Sequence, residues 1–159
     1  MRTRLSALAL AGALVGAGCG PSLTEPYRTV TAPPPSGLAV AETSAPTPTN
    51  VRPLAATVAA SGDSVVVTYV YDRGPCGLEF SASAGIVDGA LVVTHVSRFS
   101  DQLILCTADA PRVGPTFRLA VVPARRGRLA VVLRQRLQQR SGSAEFHERE
   151  IVRGTVTLP

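Results

Sequence analysis

Asp63–Asp72 reads DSVVVTYVYD, and this stretch decides the fold. Val65, Val67, Tyr69 and Tyr71 alternate with Val66, Thr68 and Val70, which puts the two sets on opposite faces of an extended chain. β-branched and aromatic side chains lose little rotamer freedom on a pleated surface and more on a helix, so this density predicts a strand. Ser61-Gly62-Asp63 supplies turn chemistry just before it.

The same texture recurs along the chain. Short or alternating runs fall at Gly77–Ser83, Ala90–Arg98 (ALVVTHVSR), Gln102–Ala108 (QLILCTA), Pro115–Pro123 (PTFRLAVVP), Arg128–Leu137 (RLAVVLRQRL) and within Ala144–Leu158. Asp88-Gly89 precedes Ala90, and that dipeptide favours a two-residue hairpin because both positions tolerate positive φ. A helix competes only over Ala124–Gln139, where Arg, Leu and Gln are abundant, and Gly127 with its Val neighbours opposes it. Strands at about ten-residue spacing predict an all-β, antiparallel, immunoglobulin-like β-sandwich of about seven or eight strands over residues 54–159.

Residues 20–53 read differently. Pro21, Pro26, Pro33, Pro34, Pro35, Pro46, Pro48 and Pro53 recur among Ser, Thr and Ala, with no apolar period. Proline has no N–H for a ladder and restricts the residue before it, so residues 19–53 are expected to form a disordered, semi-extended tether.

The first 18 residues have the three parts of an export signal. Arg2 and Arg4 carry positive charge, Leu5–Val15 is apolar, and Gly16-Ala17-Gly18 are small. Eleven apolar residues are too few to span a bilayer, which takes about 20. Gly16-Ala17-Gly18-Cys19 resembles the lipobox of bacterial lipoproteins. The resemblance implies removal of residues 1–18 and attachment of diacylglycerol to Cys19, giving an envelope protein held to a membrane by its lipid. Gly16 stands where that family most often has Leu, and ordinary cleavage after Ala17 with secretion is the alternative. Cys76 and Cys106 are then the remaining cysteines, and in an exported domain they are expected to form a disulfide. Closing a loop of about 30 residues stabilises by roughly 3.6 kcal/mol.

Composition excludes several chemistries. All 16 basic residues are Arg, so there is no Lys for a Schiff base, a Ser–Lys dyad or a phosphate loop. Without Arg2 and Arg4 the charge falls from +5 to +3, which is too mild to argue for nucleic acid. His147-Glu148-Arg149-Glu150-Ile151 begins like HExxH, but Ile151 replaces the second His and the segment reads as strand. His95 and His147 are expected to be isolated surface histidines. There is no GxSxG, and neither a catalytic residue nor a cofactor or metal is predicted.

The arginines carry the remaining signal. In a strand, Arg128, Arg134 and Arg136 share one face while Leu129, Val131, Leu133 and Leu137 share the other. That face could meet anionic lipid or polysaccharide. Folding back at Ser141-Gly142-Ser143 instead sets Arg136 opposite Glu148 and Arg134 opposite Glu150, pairs worth about 0.2–1 kcal/mol each. The same register places Phe146 on the charged face, which calls for a bulge. The leading expectation is a non-enzymatic envelope lipoprotein whose sandwich serves as an interaction or structural module, with contact to an envelope protein partner through a sheet face or an edge strand. The alternative is a ligand-binding protein using the Arg128, Arg134 and Arg136 face.

Overall fold

The structure, a computed structural model, describes residues 27–45, 56–71, 77–101 and 114–159. These form nine strands and no helix: β1 (Arg28–Val30), β2 (Val40–Ala45), β3 (Ala56–Ser61), β4 (Ser64–Val70), β5 (Leu78–Val87), β6 (Ala90–Phe99), β7 (Thr116–Val121), β8 (Gly127–Gln138) and β9 (Phe146–Leu158). They make a five-stranded sheet in the order β1-β9-β8-β6-β5 and a four-stranded sheet in the order β2-β7-β4-β3. The sandwich core lies between them. Val65, Val67 and Tyr69 of β4, Leu119 of β7, Leu91 and Val93 of β6, and Val131 and Leu133 of β8 all point into it and are buried. Aliphatic packing at these positions is the main favourable term, in a chain with few aromatic rings.

The hairpins follow local chemistry. Asp88 and Gly89 have φ of 51° and 77°, the left-handed pair that a tight β5–β6 turn requires. β3 and β4 turn through Gly62 and Asp63, and Gly62 is also left-handed at 59°. β8 and β9 pair in the register read from the sequence, Arg136 opposite Glu148 and Arg134 opposite Glu150. The connection between them is longer than three residues, running from Gln139 to Glu145 and closed by the Gln139 N–H donating to the Glu145 carbonyl at 3.1 Å.

A bulge sits between Leu133 and Arg134, where β9 skips Ile151. Its effect is parity. Val152, Val156 and Leu158 turn toward the core beside Leu133, Leu129 and Gly127. Without the extra residue, Glu150, Glu148 and Phe146 would follow them inward. With it, these three turn to the outer face of the sheet, and Arg149 and His147 turn to the inner one.

Residues 54–159 hold seven strands among the described residues, β3–β9, as expected, and β1 and β2 bring the total to nine. Two expectations about these strands are corrected. They are not all antiparallel: β6 and β8 run parallel, because the chain leaves β6 for β7 in the other sheet and returns beside it. The stretch expected to be a tether also enters the fold. β1 caps one edge by pairing with β9, and β2 caps the other sheet by pairing with β7. Prolines 33–35 fall between these strands, so they cost no ladder hydrogen bonds. The strand expected at Gln102–Ala108 lies outside the described residues.

Between β1 and β2 the chain is a strap. It starts at the β1 edge of the five-stranded sheet, and Leu38 then donates its N–H to the Ala84 carbonyl at 3.0 Å on β5, the opposite edge. On the way Arg136 Nη1 donates to the Ala32 carbonyl at 2.6 Å. Pro35 and Ser36 lie on Gly85, where an added Cβ would meet the Ser36 oxygen at 2.7 Å. The strap therefore crosses the outer face of the sheet. Under it Val92, Thr94 and Val96 are at most 5% exposed, although they point away from the sandwich core.

Gly85 is glycine because backbone occupies the space a side chain would need. Replacing Gly85 with Val is expected to lift the strap and cost about 1–3 kcal/mol, as for other overpacked sites. Ser81→Val, on the same strand face but exposed, is expected to stay within about 0.5 kcal/mol. Urea midpoints for the two variants check this; equal midpoints would show that the strap does not bear on the sheet.

Candidate functional site

The outer face of the five-stranded sheet carries a charged centre. Glu148, turned outward by the bulge, is 1% exposed. One carboxylate oxygen accepts hydrogen bonds from Nε and Nη2 of Arg28 on β1. The other accepts from Arg136 Nε at 2.5 Å. Arg134 Nη1 lies 3.9 Å away. A cross-strand row thus runs Arg136–Glu148–Arg28 over β8, β9 and β1. Burial alone would raise the Glu148 pKa, but the hydrogen bonds and charges of Arg28 and Arg136 outweigh it and hold the group below its ordinary value. Three guanidinium groups meet one carboxylate, which leaves two positive charges in excess.

Beside this centre a cleft of about 310 Å³ opens between the strap and the sheet. Its strap wall is Thr31–Pro34, and its floor includes Val96, Arg136 and Phe146. Arg98 stands at its rim with its guanidinium 5.3 Å from the Phe146 ring centre. A second cleft on the other side of Arg98 contains Glu79 and Asp101.

The inner face carries a different polar group. His95 is fully buried, not at the surface as expected, because β6 is central and its odd residues face the core. Its Nδ1 is hydrogen-bonded to the Tyr69 hydroxyl, and its Nε2 lies 3.3 Å from Glu42 Oε1. Phe80 stacks on the ring at 5.4 Å, and Phe117 lies 4.3 Å away. The Tyr71 hydroxyl and Ser97 Oγ share a hydrogen bond of 2.6 Å nearby. Tyr69 and Glu42 belong to the four-stranded sheet and Tyr71 directly follows its β4, while His95 and Ser97 belong to the other sheet, so these bonds tie the two sheets together. Packed rings enclose the imidazole on several sides, which suits a structural tie better than a site open to substrate.

The outer face of the four-stranded sheet is plain. One cross-strand row reads Ala41–Ala120–Val66–Ala59 and the next Thr43–Arg118–Thr68–Thr57. Half-exposed Val122 directly follows β7. β3, the edge strand, reads ATVAAS with no charge and no proline.

Of the residues singled out from sequence, Arg134 and Arg136 come together at Glu148, and Arg136 is largely buried there. Arg128 stands exposed, far along β8 near the β9 C-terminus. Cys19, Cys76 and Cys106 lie outside the described residues. His147 packs against Tyr27 at 5.8 Å, and no cluster of three metal-binding side chains occurs among the described residues. Arg28, Arg98 and the strap were missed by sequence reading. The alternation of Val96 and Arg98 in β6 was the available signal, since it sets Arg98 on the face opposite His95. No protein-family model, curated protein or solved structure matches this chain.

Replacing Glu148 with Gln leaves buried Arg136 without its counter-charge and is expected to cost about 3–5 kcal/mol in urea unfolding at neutral pH. The pH dependence has a definite sign. Because the folded pKa lies below the group's ordinary value, the carboxylate's contribution is fully present above that ordinary value and fades as the pH falls through the folded pKa. The wild-type chain should therefore lose stability more steeply than the Gln variant as the pH falls below the ordinary carboxylate range; parallel acid limbs would count against the charged centre.

Proposed function

We propose that this chain is a non-enzymatic envelope lipoprotein, anchored through lipid on Cys19 and stapled by a Cys76–Cys106 disulfide, whose immunoglobulin-like sandwich docks an envelope protein. The lipobox-like run at Gly16–Cys19 supports the anchor. Two packed sheets with crossovers between them support the immunoglobulin-like reading, and the parallel β6–β8 pair is its departure from that pattern.

One observation carries the docking role: the outward edge of β3 is neither paired nor charged among the described residues. The five-stranded sheet is covered by the strap. The four-stranded sheet ends in β3, whose outward edge pairs with no other strand among the described residues. Solvent-exposed edges of soluble domains are ordinarily protected by charge, proline or bulges, and β3 has no charge or proline. A partner strand would gain main-chain hydrogen bonds there, while the flat Ala and Thr rows would admit its close approach.

The test uses a photo-activated cross-linker at Thr57, exposed on β3, in full-length protein within native envelopes. A discrete adduct with one envelope protein is expected. It should fall at least tenfold with Ala59→Lys, which puts charge on the edge. A cross-linker at Arg128 serves as the control. Adducts of equal yield at both positions, or none at Thr57, would sink the docking role.

A further inference from the structure

We propose that the cleft under the strap binds a small amphipathic anion, with its carboxylate on Arg98 and Arg136 and its apolar part against Pro33, Pro34, Val96 and Phe146. This site is on the sheet opposite the proposed docking edge and does not depend on that reading.

Four observations carry it. First, the cleft has the size of a ligand site, about 310 Å³, near the lower end of the range for small-molecule pockets. At about 30 Å³ per water it admits about ten water-sized groups. Second, its wall is largely apolar. Pro33 and Pro34 bring rigid rings with no N–H to satisfy, and Val96 and Phe146 face them.

Third, two guanidiniums reach it with capacity to spare. Arg98 makes no ion pair or hydrogen bond among the described residues; its recorded contact is the Phe146 ring. Arg136 uses Nε on Glu148 and Nη1 on the Ala32 carbonyl. Its Nη2 donates no hydrogen bond among the described residues, and the side chain lines the cleft. Glu148 holds Arg136 rigidly in place, so little rotamer entropy remains to be lost when an anion arrives. Planar guanidinium matches the two oxygens of a carboxylate.

Fourth, the electrostatics select sign and valence. The Glu148 centre leaves an excess of two positive charges behind the cleft floor. Glu79 and Asp101 occupy the far side of Arg98, in the second cleft of about 400 Å³. They confine a negative head to the strap side and oppose a highly charged group such as inorganic phosphate.

Benzoate is the probe, with benzamide as its neutral counterpart and inorganic phosphate as the anion without an apolar part. Full-length protein in neutral detergent, with nitrogen-labelled arginine, is titrated while the side-chain Nε–H signals are followed. Benzoate should shift the Arg98 and Arg136 signals saturably, and at least tenfold more tightly than either comparison compound. Arg98→Gln should weaken benzoate at least tenfold. Ala144→Leu, which fills the cleft at an exposed loop position, should abolish binding with both arginines in place. Arg98 and Ala144 are themselves exposed, so both variants should stay close to the wild-type unfolding midpoint. Equal affinity for benzamide would show an unspecific apolar contact, and equal affinity for phosphate would show bare charge. Either result, or a shift that never saturates, overturns the proposal. Ala59→Lys on the docking edge should leave benzoate binding unchanged; a tenfold loss in that variant would also overturn it.

Discussion

A carboxylate with 1% of its surface exposed must be paired, and Glu148 sets much of the architecture by that need. Taking an ion out of water costs several kcal/mol even after relaxation, so the attraction must come from fixed partners with good geometry. Here those partners are drawn from separate places. Arg136 comes from β8, its neighbour in the sheet, and Arg28 comes from β1, far away in sequence. The requirement thus fixes where the N-terminal segment joins the sheet. Arg136 then passes the constraint on, because its second donor goes to the Ala32 carbonyl at the start of the strap. One buried acid therefore links the β8–β9 hairpin, the β1 edge and the strap.

The bulge at Ile151 is the backbone counterpart of this constraint. A strand that must place Val152 and Val156 in the core and Glu148 and Glu150 outside cannot keep strict two-residue parity. The extra residue reconciles the two halves of β9. It also explains Phe146, which reaches the outer face and becomes the surface on which Arg98 stacks. The apparent conflict in the sequence, an aromatic residue on a charged face, is how the cleft acquires an apolar floor.

Much of this was legible in the sequence, and the losses have physical causes. Alternation found β4, β6, β7, β8 and β9, because strands with one face in the core repeat every two residues. Opposed charges gave the Arg136–Glu148 register. β1, β2 and β3 escaped because they are edge strands. Their patterns are short or rich in Ala, Ser and Thr, since an edge buries less and needs less apolar surface. The prolines of the strap read as disorder because composition reports that a segment cannot join a ladder. It does not report that the segment can lie across one. His95 was misplaced for the converse reason: a polar ring can be buried when Tyr69 and Glu42 supply its hydrogen bonds.

Moving the fold boundary back from residue 54 to Arg28 changes what an anchor at Cys19 would do. A chain of n residues spans at most about 3.3–3.6 Å per residue. From Cys19 to residue 54 that limit is on the order of 120 Å, enough to let a domain roam far from the bilayer. From Cys19 to Arg28 it is only about 30 Å, comparable to the domain itself. Under the proposed lipid anchor the β1 edge, and with it the Glu148 centre, would be held near the membrane. β3 belongs to the other sheet and enters the chain after the strap has crossed to β5 and β2 has been laid down. A short leash on β1 therefore restrains the strap side first, and leaves the outward edge of β3, unpaired among the described residues, with most freedom to meet a partner strand.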